Sequence, residues 1–238
     1  MQSDLQPVRS NDSAAGGVVL GRAISAEAQK VLRNTYLLLA LTMVPTVIGA
    51  AIGMQFAAVM MASPIITFVV MLAAVIGLQF GIAAYRNSGV GVALLLLMTG
   101  LLGAFLGPLL NVALSMRNGM QLVGYAAVGT GVIFFAMGAI AQTMKRDFSF
   151  MGKFLFVGMI ALLVAMLANM FLQIPALALT ISSLVIVVFS LFLLYDLNRI
   201  VRGGETNYIM ATTGVYLSLF NIFSSLLHLL MVLSGERE

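Results

Sequence analysis

The chain has 238 residues, 61% of them hydrophobic and only 8% charged, with a mean hydropathy of +1.09. That is more apolar surface than a soluble domain of this size can bury, so the composition specifies an integral membrane protein. The formal net charge of +4 would suggest nucleic acid in a soluble protein, but here the basic residues fall in loops between apolar runs, which excludes a nucleic-acid partner.

There is no cysteine and a single histidine. Disulfides, thiolate metal centres and histidine clusters are therefore ruled out, and neither a metal site nor a cofactor is predicted.

The chain divides at its first apolar run, into residues 1–33 and a membrane domain over 34–238. Met1 to Gly21 is rich in Ser, Asn, Gln and Gly, with no apolar core of signal-peptide length. It is expected to persist as a disordered tail. Ala23 to Arg33 admits two readings of equal weight: a helix lying on the membrane surface, or a continuation of the first span.

Seven apolar spans follow, each near the ~20 residues that cross a hydrocarbon core. They run from Tyr36 to Gln55, Pro64 to Ala84, Val90 to Leu110, Gln121 to Ala141, Phe150 to Phe171, Ala176 to Tyr195 and Tyr208 to Leu233. The runs are continuously apolar instead of alternating, which excludes a membrane β-barrel. The predicted fold is all-α, a polytopic seven-transmembrane-helix bundle. Turn chemistry at Ser63-Pro64, Asn87-Ser88-Gly89, Arg117-Asn118-Gly119 and Ile174-Pro175 separates the spans. With seven crossings, ten basic residues fall on the side of the tail (Arg9, Arg22, Lys30, Arg33, Arg86, Lys145, Arg146, Lys153, Arg199, Arg202) and two on the other (Arg117, Arg237). This bias predicts a cytoplasmic amino terminus and a carboxyl terminus on the opposite, periplasmic side.

Three glycine pairs, Gly49 with Gly53, Gly77 with Gly81 and Gly103 with Gly107, carry the small-xxx-small spacing that lets helix backbones approach closely in lipid. In the last span Gly214, Ser218, Asn221, Ser225 and His228 recur at helical spacing and share one face, which must point into the bundle or a hydrated cavity. Hydrogen bonds between helices and a hydrated path for an ion or proton both fit that face. Asp196 ends the preceding span, where the helix macrodipole disfavours a carboxylate. An ion pair with Arg199, with Arg202 nearby, would offset this; so would a role for Asp196 as a half-buried cation or proton site. Gly203-Gly204 then ends the helix, and Thr206 or Asn207 caps the next. The chain holds no His-Glu-x-x-His pair, no Gly-x-Ser-Gly nucleophile and no second intramembrane aspartate, so no enzymatic activity is predicted.

Several collinear stretches carry a resemblance. Leu32-Arg33-Asn34-Thr35-Tyr36, Leu106-Gly107-Pro108-Leu109-Leu110-Asn111, Arg146-Asp147-Phe148-Ser149-Phe150-Met151-Gly152, Ala168-Asn169-Met170-Phe171-Leu172-Gln173-Ile174-Pro175 and Gly203-Gly204-Glu205-Thr206-Asn207-Tyr208-Ile209 resemble the Bax inhibitor-1 family. More closely they resemble its bacterial YccA-type branch, and the likeness covers nearly everything after Lys30. The resemblance implies an inner-membrane protein that binds the AAA protease FtsH as a poorly extracted substrate and restrains its degradation of other membrane proteins. The wider family also implies a pH-sensitive calcium or proton leak through a pair of aspartates. Asp196 matches the first of that pair, whereas Ser218 stands where the second would be. A lone carboxylate cannot share a proton with a partner carboxylate or offer a divalent ion two charges.

Overall fold

The computed structural model describes residues 24–143, 148 and 151–235. The tail and Lys145, Arg146 and Arg237 lie outside the described residues. Eight helices make up the described chain: α1 (Ala26–Gln55), α2 (Ala57–Ala62), α3 (Pro64–Ala84), α4 (Gly89–Ser115), α5 (Gly119–Thr143), α6 (Met151–Leu172), α7 (Pro175–Val201) and α8 (Tyr208–Gly235). All except the short α2 are long and apolar enough to cross a membrane, which agrees with the seven expected spans. The chain is an all-α polytopic membrane protein.

Residues 26–33 are continuous with the first expected span. Helix α1 runs unbroken from Ala26, its start capped by the Ser25 hydroxyl, which accepts a hydrogen bond from the Ala28 amide at 3.2 Å. Ala28 is buried, and Val31 and Leu32 pack on the main core cluster. The apolar side of this stretch thus faces the bundle.

Helix α8 is the axis. It packs against α1, α3, α4, α5 and α7, and buries residues around much of its circumference, among them Ile209, Thr213, Val215, Tyr216, Ile222 and Leu227. Helices α3 and α6 are peripheral: α3 buries only Ile82, and α6 only Leu155 and Leu162. Large apolar side chains such as Phe80, Phe135 and Phe154 point outward, as expected where the surrounding medium is acyl chains rather than water.

The densest interface joins α1 to α4, and two of the three glycine pairs build it. A Cβ at Gly49 would overlap the carbonyl of Gly100, one at Gly53 the carbonyl of Ala104, one at Gly103 the carbonyl of Thr46, and one at Gly107 the backbone of Gly53. The two backbones touch where side chains would otherwise hold them about 8–10 Å apart. The third pair behaves differently, for Gly77 faces open space and Gly81 meets only the tip of Leu94.

Hydrogen bonds between loops sort the ends of the bundle. Asn207 Nδ2 donates to the Arg86 carbonyl and to Asn87 Oδ1, both at 2.8 Å, tying the α7–α8 loop to the α3–α4 loop. The Phe148 amide donates to Asn198 Oδ1 at 3.4 Å, bringing the α5–α6 connection to the same end. At the other end Asn118 donates to Ser234 Oγ at 3.5 Å. Arg86, Arg199 and Arg202 therefore gather at one end with the start of α1, and Arg117 lies at the opposite one.

Candidate functional site

Helix α7 ends in a turn that folds back on itself. Gly203 takes φ +76°, a left-handed conformation that glycine adopts without a Cβ penalty. The amides of Gly204 and Glu205 then both donate to the Arg199 carbonyl, at 2.8 and 3.2 Å. This reversal carries Glu205 back over the helix end, where its Oε2 pairs with Arg199 Nη2 at 3.1 Å. Its Oε1 accepts the Asn207 amide at 3.0 Å. Asn207 caps α8, its Oδ1 accepting the amides of Ile209 and Met210 at 3.0 and 3.1 Å.

The sequence offers an ion pair with Arg199 as one of two ways to accommodate Asp196; in the structure the Arg199 hydrogen bond goes to Glu205, while Asp196 and Arg199 line the same cavity. The reason is topological, because spacing along α7 cannot register a carboxylate that returns through a left-handed glycine. The Arg199 guanidinium also lies 5.6 Å from the centre of the Tyr195 ring, within cation–π range. Arg202 is the exposed C-cap of α7, its amide donating to the Asn198 carbonyl at 3.0 Å.

Asp196 faces a cavity of about 200 Å³, whose lining includes Gln79, Arg199, Glu205, Thr213 and Gly214. A Cβ at Gly214 would lie 2.6 Å from Asp196 Oδ2, so the carboxylate rests directly against the backbone of α8. The structure thus brings together Asp196, Arg199, Glu205 and Gly214. Ser218, one turn deeper, is 2% exposed and does not line this space. Sequence reasoning gave Glu205 and Gln79 no part in the site. Neither carries a periodic signal, since one arrives through a reversed turn and the other from a different helix.

The remaining polar residues of α8 act at other depths. Ser225 is buried and Asn221 half-buried, and Asn221 Nδ2 bonds its own helix at the Leu217 carbonyl, 2.8 Å away. His228 Nδ1 is 2.9 Å from Ser182 Oγ on α7, a hydrogen bond between helices. Two residues outside the polar stripe also approach α1. Tyr216, 2% exposed, places its hydroxyl 2.8 Å from Thr46 Oγ1 on α1 and donates to the Thr99 carbonyl on α4 at 3.2 Å. Thr212 donates its hydroxyl proton to the Tyr208 carbonyl of its own helix at 2.7 Å, and the Thr35 carbonyl of α1 lies further off at 3.4 Å. A tyrosine inside an apolar span was the available signal for the first of these, because its hydroxyl requires a partner there. Among the described residues, no three His, Cys, Asp or Glu side chains are grouped so as to hold a metal ion.

A family model described as inhibitor of apoptosis-promoting Bax1 matches residues 28–235. A Vibrio cholerae membrane protein is 43% identical over 210 residues, covering 88% of this chain and 92% of that one. An Escherichia coli protein named modulator of FtsH protease YccA is 41% identical over 201 residues, covering 84% and 89%. A Campylobacter jejuni protein is 32% identical over 207 residues, covering 87% and 90%. Over nearly all of its spanning helices, then, this chain belongs to the Bax inhibitor-1 family and is similar to a named modulator of the FtsH protease.

Proposed function

We propose that this protein is a modulator of the FtsH protease in the bacterial inner membrane, acting as a binding partner and slowly extracted substrate. The orientation proposed has the start of α1 at the cytoplasm and the end of α8 at the periplasm, since the described basic loops gather at the α1 end. The observation that carries the reading, alongside the named relative, is the α1–α4 interface. A protease pulling from the amino terminus meets α1 first, and α1 is the helix most closely fitted to its neighbour. Backbone contact between Gly53 and Gly107 must be lost before α1 can leave, and the hydroxyl contact of Thr46 with Tyr216 must break inside lipid. Slow extraction would hold the protease occupied.

Two measurements test this. Affinity purification of the full chain from membranes should retain FtsH, and a chain lacking residues 1–21 should be turned over by FtsH several-fold more slowly. Absence of FtsH from the purified material would remove the binding claim, and unchanged turnover of the shortened chain would remove the tail as the point of grip.

A second reading, a pH-sensitive cation leak, is supported by one feature: the cavity on which the Asp196 carboxylate opens. Its geometry limits the chemistry. Asp196 faces Gly214, and the neighbouring Glu205 is held by Arg199, so a cation would meet one available carboxylate and a guanidinium together. If this reading holds, Asp196→Asn should abolish pH-dependent calcium or proton flux into liposomes, because a neutral amide offers a cation no charge. Equal flux from both proteins would dismiss it.

A further inference from the structure

A second cavity, of about 600 Å³, opens on the flank of the bundle between α1 and α5. One wall is Tyr36, Ala40 and Met43 of α1 and the other is Phe134, Gly138 and neighbours of α5, while Leu219 of α8 contributes from behind. An edge contact between Tyr36 and Phe134, ring centres 5.6 Å apart, joins the two walls, and Phe135 packs edge-on to Phe134 at 5.3 Å. Glycine on α5 opens part of this space: Gly131 has no atom within 4 Å of where a Cβ would sit, whereas a Cβ at Gly138 would meet Leu197 at 3.8 Å and the Tyr36 hydroxyl at 3.9 Å in ordinary van der Waals contact.

The lining on α5 extends from Thr130 to Gln142, about 18 Å at 1.5 Å per residue. The walls are apolar and the groove lies on a flank that faces acyl chains, so an extended hydrocarbon chain laid along α5 matches its length and its chemistry.

The groove has a polar, cationic mouth at one end. Arg33 lies one turn before Tyr36 on the same face of α1, and Cα–Cβ bonds lean toward a helix amino terminus, so its guanidinium reaches past the groove toward the headgroup layer. It is exposed and makes no ion pair among the described residues. Exposed Gln142 stands at the same end of α5. Lys30, also exposed, adds a second positive charge one turn further out. We infer that this groove is a binding site for one acyl chain of an anionic phospholipid whose phosphate pairs with Arg33. The acyl chain would lie along the glycine floor of α5, and the phosphate would sit where a charged group is drawn to basic side chains at the membrane surface.

Native mass spectrometry of the full chain in detergent, titrated with phosphatidylglycerol and with phosphatidylcholine of matching acyl chains, tests the site. The unaltered protein should retain phosphatidylglycerol at least several-fold more than phosphatidylcholine. Gly131→Leu fills the groove without meeting any neighbour at its Cβ, so the bundle should keep its thermal midpoint while retention of the first bound lipid falls about tenfold. Arg33→Gln should keep the acyl chain but abolish the headgroup preference. Undiminished retention in Gly131→Leu would overturn the proposal, as would equal binding of the two lipids by the unaltered protein. Loss of a co-purifying protein from Gly131→Leu with lipid retention intact would also overturn it, and would mark the groove as a seat for a partner helix.

Discussion

Gly107→Val should cost the bundle about 3 kcal/mol or more, the upper end of what overpacking imposes, and lower the unfolding midpoint in detergent by on the order of 10 °C. The position leaves no inexpensive escape. The atoms that a Cβ at Gly107 would strike are the Gly53 carbonyl carbon and Cα and the Met54 amide nitrogen, all backbone, so no side chain can swing aside. The helices must separate. Separation also draws apart Gly103 from Thr46 and Gly49 from Gly100, which form the rest of the same seam.

Gly77→Val and Gly124→Val supply the contrast, since both positions face open space. They should change stability by no more than about 0.5 kcal/mol, as surface substitutions do. A Gly107→Val protein with the midpoint of Gly77→Val would show that the α1–α4 seam is not close-packed. The same pair bears on the proposed function. If resistance to dislocation is what slows the protease, Gly107→Val should be degraded faster by FtsH in membranes and Gly77→Val at the unaltered rate.

The contrast between Gly77 and Gly107 also marks how far the sequence could be read. The seven spans were visible because continuous apolar runs of about 20 residues have few other uses, and charge placement ordered the loops. Which glycine pair forms a seam was not visible: the same spacing occurs in α1, α3 and α4, yet only contact with a second backbone distinguishes them, and that depends on which helices become neighbours. The site divides in the same way. Asp196 stands out as an acidic residue at the end of an apolar run and shares its cavity with Arg199, but the salt bridge of Arg199 with Glu205 forms only through the left-handed turn at Gly203. The cap at Asn207 was one of two candidates, and its four side-chain hydrogen bonds include two to a loop 120 residues earlier in the chain, which no local pattern encodes. The polar stripe of α8 is a periodicity of the sequence, yet Tyr216, whose hydroxyl reaches both α1 and α4, lies outside it.

Tyr216→Ala should destabilise the bundle by about 3–5 kcal/mol, the usual cost of emptying a large buried aromatic site, whereas Tyr216→Phe should cost about 1 kcal/mol. The large term is packing: Tyr216 is among the largest fully buried side chains, sits in the main core cluster and stacks on Phe220 with ring centres 6.3 Å apart. The small term is the hydroxyl, and proton counting limits it. Thr46 Oγ1 also lies 2.7 Å from the Thr42 carbonyl as a donor, so the contacts of Tyr216 with Thr46, Tyr216 with Thr99 and Thr46 with Thr42 share two hydroxyl protons among three hydrogen-bond positions. Removing the tyrosine oxygen leaves Thr46 free to serve Thr42 alone, and the Thr99 carbonyl loses only a long contact of 3.2 Å. Thr46→Val should therefore cost less when made in Tyr216→Phe than in the unaltered protein, a coupling that a double-mutant cycle in unfolding midpoints would read directly. Strict additivity of the two substitutions would mean that the hydroxyls do not share their protons, and that α8 is held to α1 and α4 by shape alone.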